Sequence, residues 1–174
     1  YSPTISKNFT LYPFHIIENK TFKVITRFGR AGLSGRAPHD HDDVMSFWVF
    51  KNGEDMILER GCAPYTLNYS KRKKMISSES HNCLIFNCDA KNTFKIGSIF
   101  PTVLLNEVDH IDSKKNYIEL KRGNHYRKIS ISEFAVKLID SWNFNCKGKS
   151  YVYKMPDVDV NFNDSMGVNT YGTF

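Results

Sequence analysis

Short runs of β-branched and aromatic residues, separated by turn residues at nearly regular intervals, constrain the fold of this chain more than any other feature. The runs FTLYPFHII (9–17) and TFKVITRF (21–28) lie on either side of the turn ENK, and VMSFWVF (44–50) leads into KNGED. Such runs favour strands, and Asn-Gly within KNGED predicts a tight hairpin turn. Further runs of this kind are residues 83–87, 93–100, 102–108, 117–122, 126–131, 133–142 and 150–155. The series predicts an all-β fold, an antiparallel sandwich or barrel.

The stretch SEFAVKLIDSW is the one place where a helix competes with a strand. Ser132 could cap a helix, and Phe134, Leu138 and Trp142 follow at helical spacing. We predict a strand, because the stretch is short and lies among strands. The whole chain, residues 1–174, is predicted to form one domain, with a polar and weakly patterned tail from residue 157 to 174 that packs loosely.

Composition excludes several classes of protein. Apolar residues make up 41% of the chain, which is enough for one continuous core. The net charge of +6 fits either an acidic partner or simple solubility. Its largest basic cluster, Lys71–Lys74, is predicted to be a solvated loop. Nucleic-acid binding is not predicted, because the sequence shows no stripe of basic residues interleaved with aromatic residues. No apolar run is long enough to span a membrane, and the four cysteines form no disulfide framework.

The segment richest in possible metal ligands is HDHDD, residues 39–43, which lies just before the run VMSFWVF. In an extended segment His39, His41 and Asp43 would project to one side, and Asp40 and Asp42 to the other. Imidazoles and a carboxylate on one side can begin a zinc site, which needs three or four such ligands. The competing interpretation is a polar loop whose histidines form local hydrogen bonds.

Two residues further along the chain, Glu59 and His81, strengthen the interpretation as a zinc site. Glu59 follows the return strand of the predicted hairpin, so antiparallel pairing would bring it back near His41. His81 and Asn82 open the next apolar run, after a polar loop. Three candidate ligands, His41, Glu59 and His81, therefore lie at strand ends that could meet at one edge of a sheet. The cupin pattern fails, because it requires a glutamate where this chain has Met45 and Ser46.

These residues resemble the β-sandwich domain of heparinase II/III-like polysaccharide lyases. The resemblance is carried by GLSGRAPHDHDDVMSFWVFKNGEDMILERGCAPYT and SKRKKMISSESHNCLIF, and is strong over residues 32–88 and weaker to about 155. The later stretch HYRKISISEFAVKLIDSWN is similar to family strands in which an Arg-containing strand precedes one ending in Asp. The matching positions, in order, are His39, His41, Asp43, Ser46, Phe47, Gly53, Glu59, Gly61, Tyr65, Arg72, Ser77, Ser78, His81 and Asn82.

The resemblance implies a role for each residue. His41, Glu59 and His81 would hold one structural zinc ion, and His39 would face the substrate cleft as the catalytic contact to a uronate carboxylate. The implied reaction is β-elimination of an acidic, uronic-acid-containing polysaccharide. Four further residues are predicted to surround the site or contact substrate: Asp43, Tyr65, Arg72 and Asn82. Family members favour the periplasm or secretion.

Departures from the family pattern leave an alternative open. Glu59 stands where the family usually has Asp, Arg36 lies where the family is often Gly-rich, and Ile76 replaces a common basic residue. The family's N-terminal helical toroid, which would contribute the tyrosine acting as base and acid, is missing from this chain, so the chain is expected to be part of a larger protein. The alternative function is a non-catalytic carbohydrate-binding or structural β-module, in which Trp48, Tyr65 and Tyr69 could stack on sugars. For Trp48 core packing is the favoured interpretation.

Overall fold

A computed structural model describes residues 7–29, 41–60, 68–86, 94–95, 102–103, 108–143, 148–150, 152–158, 162–165 and 168–173. Two antiparallel sheets dominate these residues. The strands are β1 Lys7–Leu11, β2 Phe14–Glu18, β3 Phe22–Arg27, β4 Phe47–Lys51, β5 Glu54–Ile57, β6 Leu84–Phe86, β7 Phe94–Lys95, β8 Thr102–Val103, β9 His110–Lys114, β10 Tyr117–Arg122, β11 His125–Ile131, β12 Val136–Trp142, β13 Gly148–Ser150, β14 Phe162–Ser165 and β15 Val168–Thr173.

The first sheet runs β1-β2-β3-β4-β5 in sequence order, as hairpin connections dictate. The turn between β4 and β5 contains Asn52 at φ 52° and Gly53 at φ 86°. Positive φ at both central residues defines the hairpin turn that Asn-Gly favours, so the predicted hairpin is confirmed. Because this turn folds β5 back along β4, the residues that follow β5 return to the level of the segment that precedes β4.

The second sheet has the order β14-β15-β12-β11-β10-β9. The stretch SEFAVKLIDSW contains strand β12, paired along its length with β11, so the predicted strand is confirmed. Strands β14 and β15 come from the tail after residue 157, and β15 pairs with β12. The loose packing predicted from the polar composition of this tail stays a prediction beside the observed pairing of its strands.

The core lies between the two sheets. Buried and partly buried residues alternate along β2, β3, β10, β11 and β12, as expected for sheets with one face turned inward. One apolar cluster draws on both sheets: Ile17, Phe22, Val24, Val44, Met45, Phe47, Val49, Ile57, Ile118, Leu120, Ile129, Ile131, Val136 and Leu138. The predicted antiparallel β-sandwich is therefore confirmed.

Trp48 and the basic cluster differ from their predictions. Trp48 is half-buried on the outer face of the first sheet, so it is not a core residue. The centre of its ring lies 5.7 Å from the centre of the Phe14 ring. Residues predicted as a solvated loop form a helix, α1 Tyr69–Met75, whose first turn is capped by the Asn68 side chain accepting from the Ser70 N–H. A 3₁₀ turn, Ser78–Ser80, then leads into His81. No helix in the described part of the chain is long and apolar enough to cross a membrane.

Candidate functional site

His81 is the centre of a buried polar cluster at the end of β5. Its side chain is 1% exposed, and both ring nitrogens have partners. Nε2 lies 3.2 Å from Nδ1 of His41, with the two ring centroids 5.0 Å apart. Nδ1 donates to Oε1 of Glu59. Because a carboxylate only accepts, this contact fixes the proton of a neutral His81 on Nδ1 and leaves a lone pair on Nε2, facing His41.

Glu59 bridges His81 and the backbone of the next residue. Its second oxygen, Oε2, accepts the Asn82 N–H at 3.1 Å, while Oε1 holds His81. The carboxylate therefore contacts a different nitrogen of His81 from the one that His41 faces. The structure thus brings His41, Glu59 and His81 together, as predicted, in a chain in which His81 is the middle member.

Asn82 secures this cluster to three other segments. It is fully buried, and its amide donates to the carbonyls of Phe47 at 2.8 Å and Leu58 at 2.7 Å. Its side-chain oxygen accepts the N–H of Tyr153 at 2.7 Å. All of these partners are backbone groups, so Asn82 positions His81 and does not present itself to a substrate.

A turn separates residues 41–43 from β4. Met45 has φ 68°, and the Ser46 N–H donates back to the carbonyl of Asp43 at 2.9 Å. His39 and Asp40 lie outside the described residues, so the projection of His39, His41 and Asp43 to one side stays a prediction. Asp43 forms a buried ion pair with Arg27, and Asp42 accepts from the hydroxyl of Ser78.

Asp42 and Asp43 thus anchor the His41 loop from two directions. Arg27, which pairs with Asp43, also donates to the carbonyl of His41 at 3.5 Å. Asp43 was expected to support the site, and the structure connects it to the His41 backbone through Arg27. The role of Asp42 was not predicted, because a pattern of alternating sides assigned it to the opposite side.

A second buried network, on strands β11 and β12, contacts the cluster, and the sequence did not predict it as part of the site. Arg127 on β11 makes two hydrogen bonds of 2.8 Å to Asp140 on β12, and it also donates to the carbonyls of Met45 and Asn82. His125 adds a contact of 2.7 Å to the same carboxylate. Burial raises the pKa of Asp140, but the charges of Arg127 and His125 outweigh burial and hold this pKa below its usual value.

The remaining predicted site residues are Arg72, which the structure describes, and His39 and Tyr65, which it does not. Arg72 is 1% exposed, although its neighbours Lys71 and Lys73 are exposed, because one side of the short helix faces the protein. It is therefore not one of the solvated lysines and arginines that its sequence context indicated. His39 and Tyr65 lie outside the described residues.

Cys83 lies next to the cluster in sequence. It is a buried free thiol whose Sγ donates to the carbonyl of Val44 at 3.9 Å, and burial raises its pKa. In the described part of the chain, no group of three or more His, Cys, Asp or Glu side chains is arranged to hold a metal ion. His41 and His81 offer nitrogens 3.2 Å apart, a separation that suits two ligands of one tetrahedral ion. Zinc at this cluster stays a prediction.

Comparison with known proteins now adds to the geometry. The family model "Heparinase II/III-like, C-terminal" matches residues 2–131, most of the chain and all of the cluster around His81. This chain belongs to the heparinase II/III-like C-terminal domain family. No curated protein sequence matches it significantly.

A solved structure supports the fold of this heparinase II/III-like domain. A heparinase III aligns with 91% of this chain at a TM-score of 0.55 and 16% sequence identity. The chain spans 25% of the length of that heparinase III. At this identity the likeness concerns the fold, and the fold agrees with the family assignment.

Proposed function

We propose that this chain is the β-sandwich domain of a polysaccharide lyase that cleaves uronic-acid-containing polysaccharides by β-elimination. Family membership supports the class of enzyme. The observation that carries the assignment is the His41–His81–Glu59 chain, directly after the segment that contains His39. His81 and the Glu59 side chain are buried, and His41 is partly buried. Burial of a histidine and a carboxylate costs free energy, and such groups are concentrated at functional sites.

The chemistry of elimination requires a group that neutralises the uronate carboxylate, and His39 can supply this group. A base removes the proton at C5 of the uronate, and the negative charge spreads into the adjacent carboxylate before O4 leaves and is protonated. A group that neutralises the carboxylate lowers this barrier. His39 is two residues from His41, whose loop is anchored by the Asp42 and Asp43 contacts. We assign to His39 the contact with the uronate carboxylate.

A zinc ion at the cluster would be structural. The sequence predicts His41, Glu59 and His81 as its ligands. Because Glu59 contacts the nitrogen of His81 that points away from His41, we propose that His41 Nδ1 and His81 Nε2 would hold the ion and that Glu59 would fix His81, an arrangement typical of histidine ligands in metalloproteins. The ion would tie the His41 loop to the segment after the 3₁₀ turn. Water or residues outside the described ranges would complete its ligands.

The partner that completes the active site is a helical domain of the same protein. The described residues supply an ordered histidine cluster but not an evident base for the C5 proton, and the chain spans a quarter of heparinase III. We assign the base and the acid to that domain, and the substrate to the cleft between the two domains.

The test compares two histidine variants in the complete protein. His39→Ala should lower the rate at which unsaturated uronate forms, measured by ultraviolet absorbance, by roughly 10²-fold or more. His110→Ala, which removes an exposed histidine on β9, should leave the rate within about twofold. Equal rates for His39→Ala and the unmodified protein would contradict the assignment. A complete protein that binds the polysaccharide without forming unsaturated product would favour the alternative, a non-catalytic carbohydrate-binding module.

A further inference from the structure

The outer faces of the two sheets differ in chemistry. The first sheet carries half-buried apolar side chains on its outside, among them Phe14, Ile25 and Trp48. The second sheet carries lysines and tyrosines on its outside, and this lysine–tyrosine face consists of Lys114, Tyr117, Lys121, Tyr126, Lys128 and Lys137. The basic excess of the chain is therefore not spread evenly over its two broad surfaces.

Strand register places these side chains side by side. Tyr117 pairs with Lys114 across β9 and β10, and Tyr126 pairs with Lys121 across β10 and β11. The ammonium of Lys128 lies 4.4 Å from the ring centre of Tyr117, and that of Lys121 lies 5.3 Å from the ring centre of Tyr126. Each tyrosine is thus a flat apolar surface with a cation at its edge or face.

A shallow groove of about 250 Å³ lies within this face. It is lined by Glu119, Tyr126, Arg127, Lys128, Ile139 and Ser141. Tyr126 is 46% exposed and forms an open wall. The volume accommodates a single sugar ring. The lining combines the aromatic surface of Tyr126 with the Ser141 hydroxyl and with Lys128 and Glu119, which form an ion pair with each other at the surface; the remaining lone pairs and N–H groups of such a pair can hydrogen-bond to sugar hydroxyls.

We infer that the lysine–tyrosine face is a second binding surface for an anionic polysaccharide, separate from the histidine cluster. This inference rests on the proposed function for its class of ligand. Side chains alternate along β11, so Arg127 points inward to the cluster while its neighbours Tyr126 and Lys128 point outward. A polymer on the outer face therefore cannot occupy the site at His81 with the same sugar.

The spacing on this face suits an extended chain of sugars. Tyr117 and Tyr126 lie on adjacent strands and are offset by four residues, which corresponds to roughly 14 Å. That distance spans several consecutive sugars, so one polymer can cover both rings. Lysines outnumber the carboxylates Asp112 and Glu119 on the face, which favours a polyanion over a neutral glycan.

Binding of heparin, a sulfated and uronate-containing polysaccharide, to this 174-residue chain tests the inference by calorimetry. The double variant Tyr126→Ala with Lys128→Gln should weaken binding by about tenfold or more, from the loss of stacking and of a charge. The matched control, Lys20→Gln with Lys51→Gln, removes two exposed lysines at the other sheet and should change affinity by less than about threefold. Tyr126→Phe keeps the aromatic surface and should bind nearly as well as the unmodified chain.

The outcomes separate this inference from the proposed function. If Tyr126→Ala with Lys128→Gln and the control Lys20→Gln with Lys51→Gln lose the same amount of heparin affinity, the inference is overturned, because binding would then follow total charge. Duplex DNA bound as tightly as heparin would overturn it for the same reason. His81→Ala should leave heparin binding unchanged, because the cluster lies on the inner side of β11. If the complete, unmodified protein forms no unsaturated product while heparin binding still depends on Tyr126 and Lys128, the result counts against the proposed function alone. If Tyr126→Ala with Lys128→Gln alters the melting temperature, Lys121→Gln with Lys137→Gln supplies the same test without touching the groove.

Discussion

Single residues in this domain carry chemistry that depends on burial. His81 is held by Glu59 through one ring nitrogen and faces His41 with the other, so its tautomer is fixed by the fold. Asn82 binds three backbone segments through its amide and fixes the main chain of its neighbour. A histidine that must present a lone pair in a defined direction needs both kinds of support.

His15 gives a pH-dependence prediction at this scale. It is 2% exposed, its Nδ1 lies 2.8 Å from the hydroxyl of Thr10, and burial lowers its pKa. The folded state therefore favours neutral His15, whereas the unfolded state takes up a proton near pH 6.5. The stability that depends on neutral His15 is fully present above that pH and is lost as the pH falls below it.

Urea denaturation at several pH values checks this prediction. The free energy of unfolding should fall between pH 7.5 and 5 more steeply in the unmodified chain than in His15→Gln. His110→Gln, on an exposed residue of β9, should keep the steep dependence. If His15→Gln and the unmodified chain show parallel pH profiles, His15 does not couple to folding.

Position in the sequence predicted which residues meet, but not how they meet. The hairpin of β4 and β5 and the apolar run after His81 were enough to bring His41, Glu59 and His81 together. The contacts of Asp42 and Asp43 could not be read from the sequence, because the turn at Met45 depends on hydrogen bonds to β3 and to Asp43 itself. Alternation is a reliable guide only within a strand.

At the scale of elements, strands β11 and β12 support the cluster from the opposite sheet. Arg127 and Asp140 form a buried bidentate pair, and the guanidinium reaches the carbonyls of Met45 and Asn82. This pair therefore connects the inner face of the second sheet to the loops that carry His41 and His81. The sequence pattern showed an arginine strand before a strand containing an aspartate, but the link across the sandwich follows only from tertiary packing.

Asp140→Asn should destabilise the domain by about 3–5 kcal/mol, because it leaves the buried guanidinium of Arg127 without a compensating charge. The double variant Arg127→Met with Asp140→Leu should recover part of this loss, since it removes both charges. Chemical denaturation measures both values. A double variant that is less stable than Asp140→Asn would show that the hydrogen bonds from Arg127 to Met45 and Asn82 outweigh the cost of the unpaired charge.

For the whole molecule, short strands with turn residues between them predicted the sandwich, since hairpins leave few alternatives for sequential antiparallel strands. The strands of the tail were not predicted, because the sequence of β14 and β15 is polar and weakly patterned; β14 pairs with β15, and β15 pairs with β12. The helix Tyr69–Met75 was also missed, because a run of lysines and arginines gives no apolar periodicity and its one buried member is itself an arginine.

The zinc prediction belongs to the whole molecule because the ion would join loops that are far apart in sequence. The purified chain should contain about one zinc per molecule, and chelation should lower its melting temperature. His81→Ala should remove the metal and the stabilisation, and His39→Ala should retain both. Unchanged zinc content in His81→Ala would contradict the role of this histidine as a ligand.

Whether this sandwich belongs to a lyase can be decided from the masses of the reaction products. The complete protein is incubated with a uronic-acid-containing polysaccharide, and the oligosaccharides are analysed by mass spectrometry. Elimination consumes no water, so we expect fragments that carry an unsaturated uronate at one end and are one water lighter than the products of hydrolysis. Fragments with the mass of hydrolysis products would rule out β-elimination and would assign this protein to a different reaction.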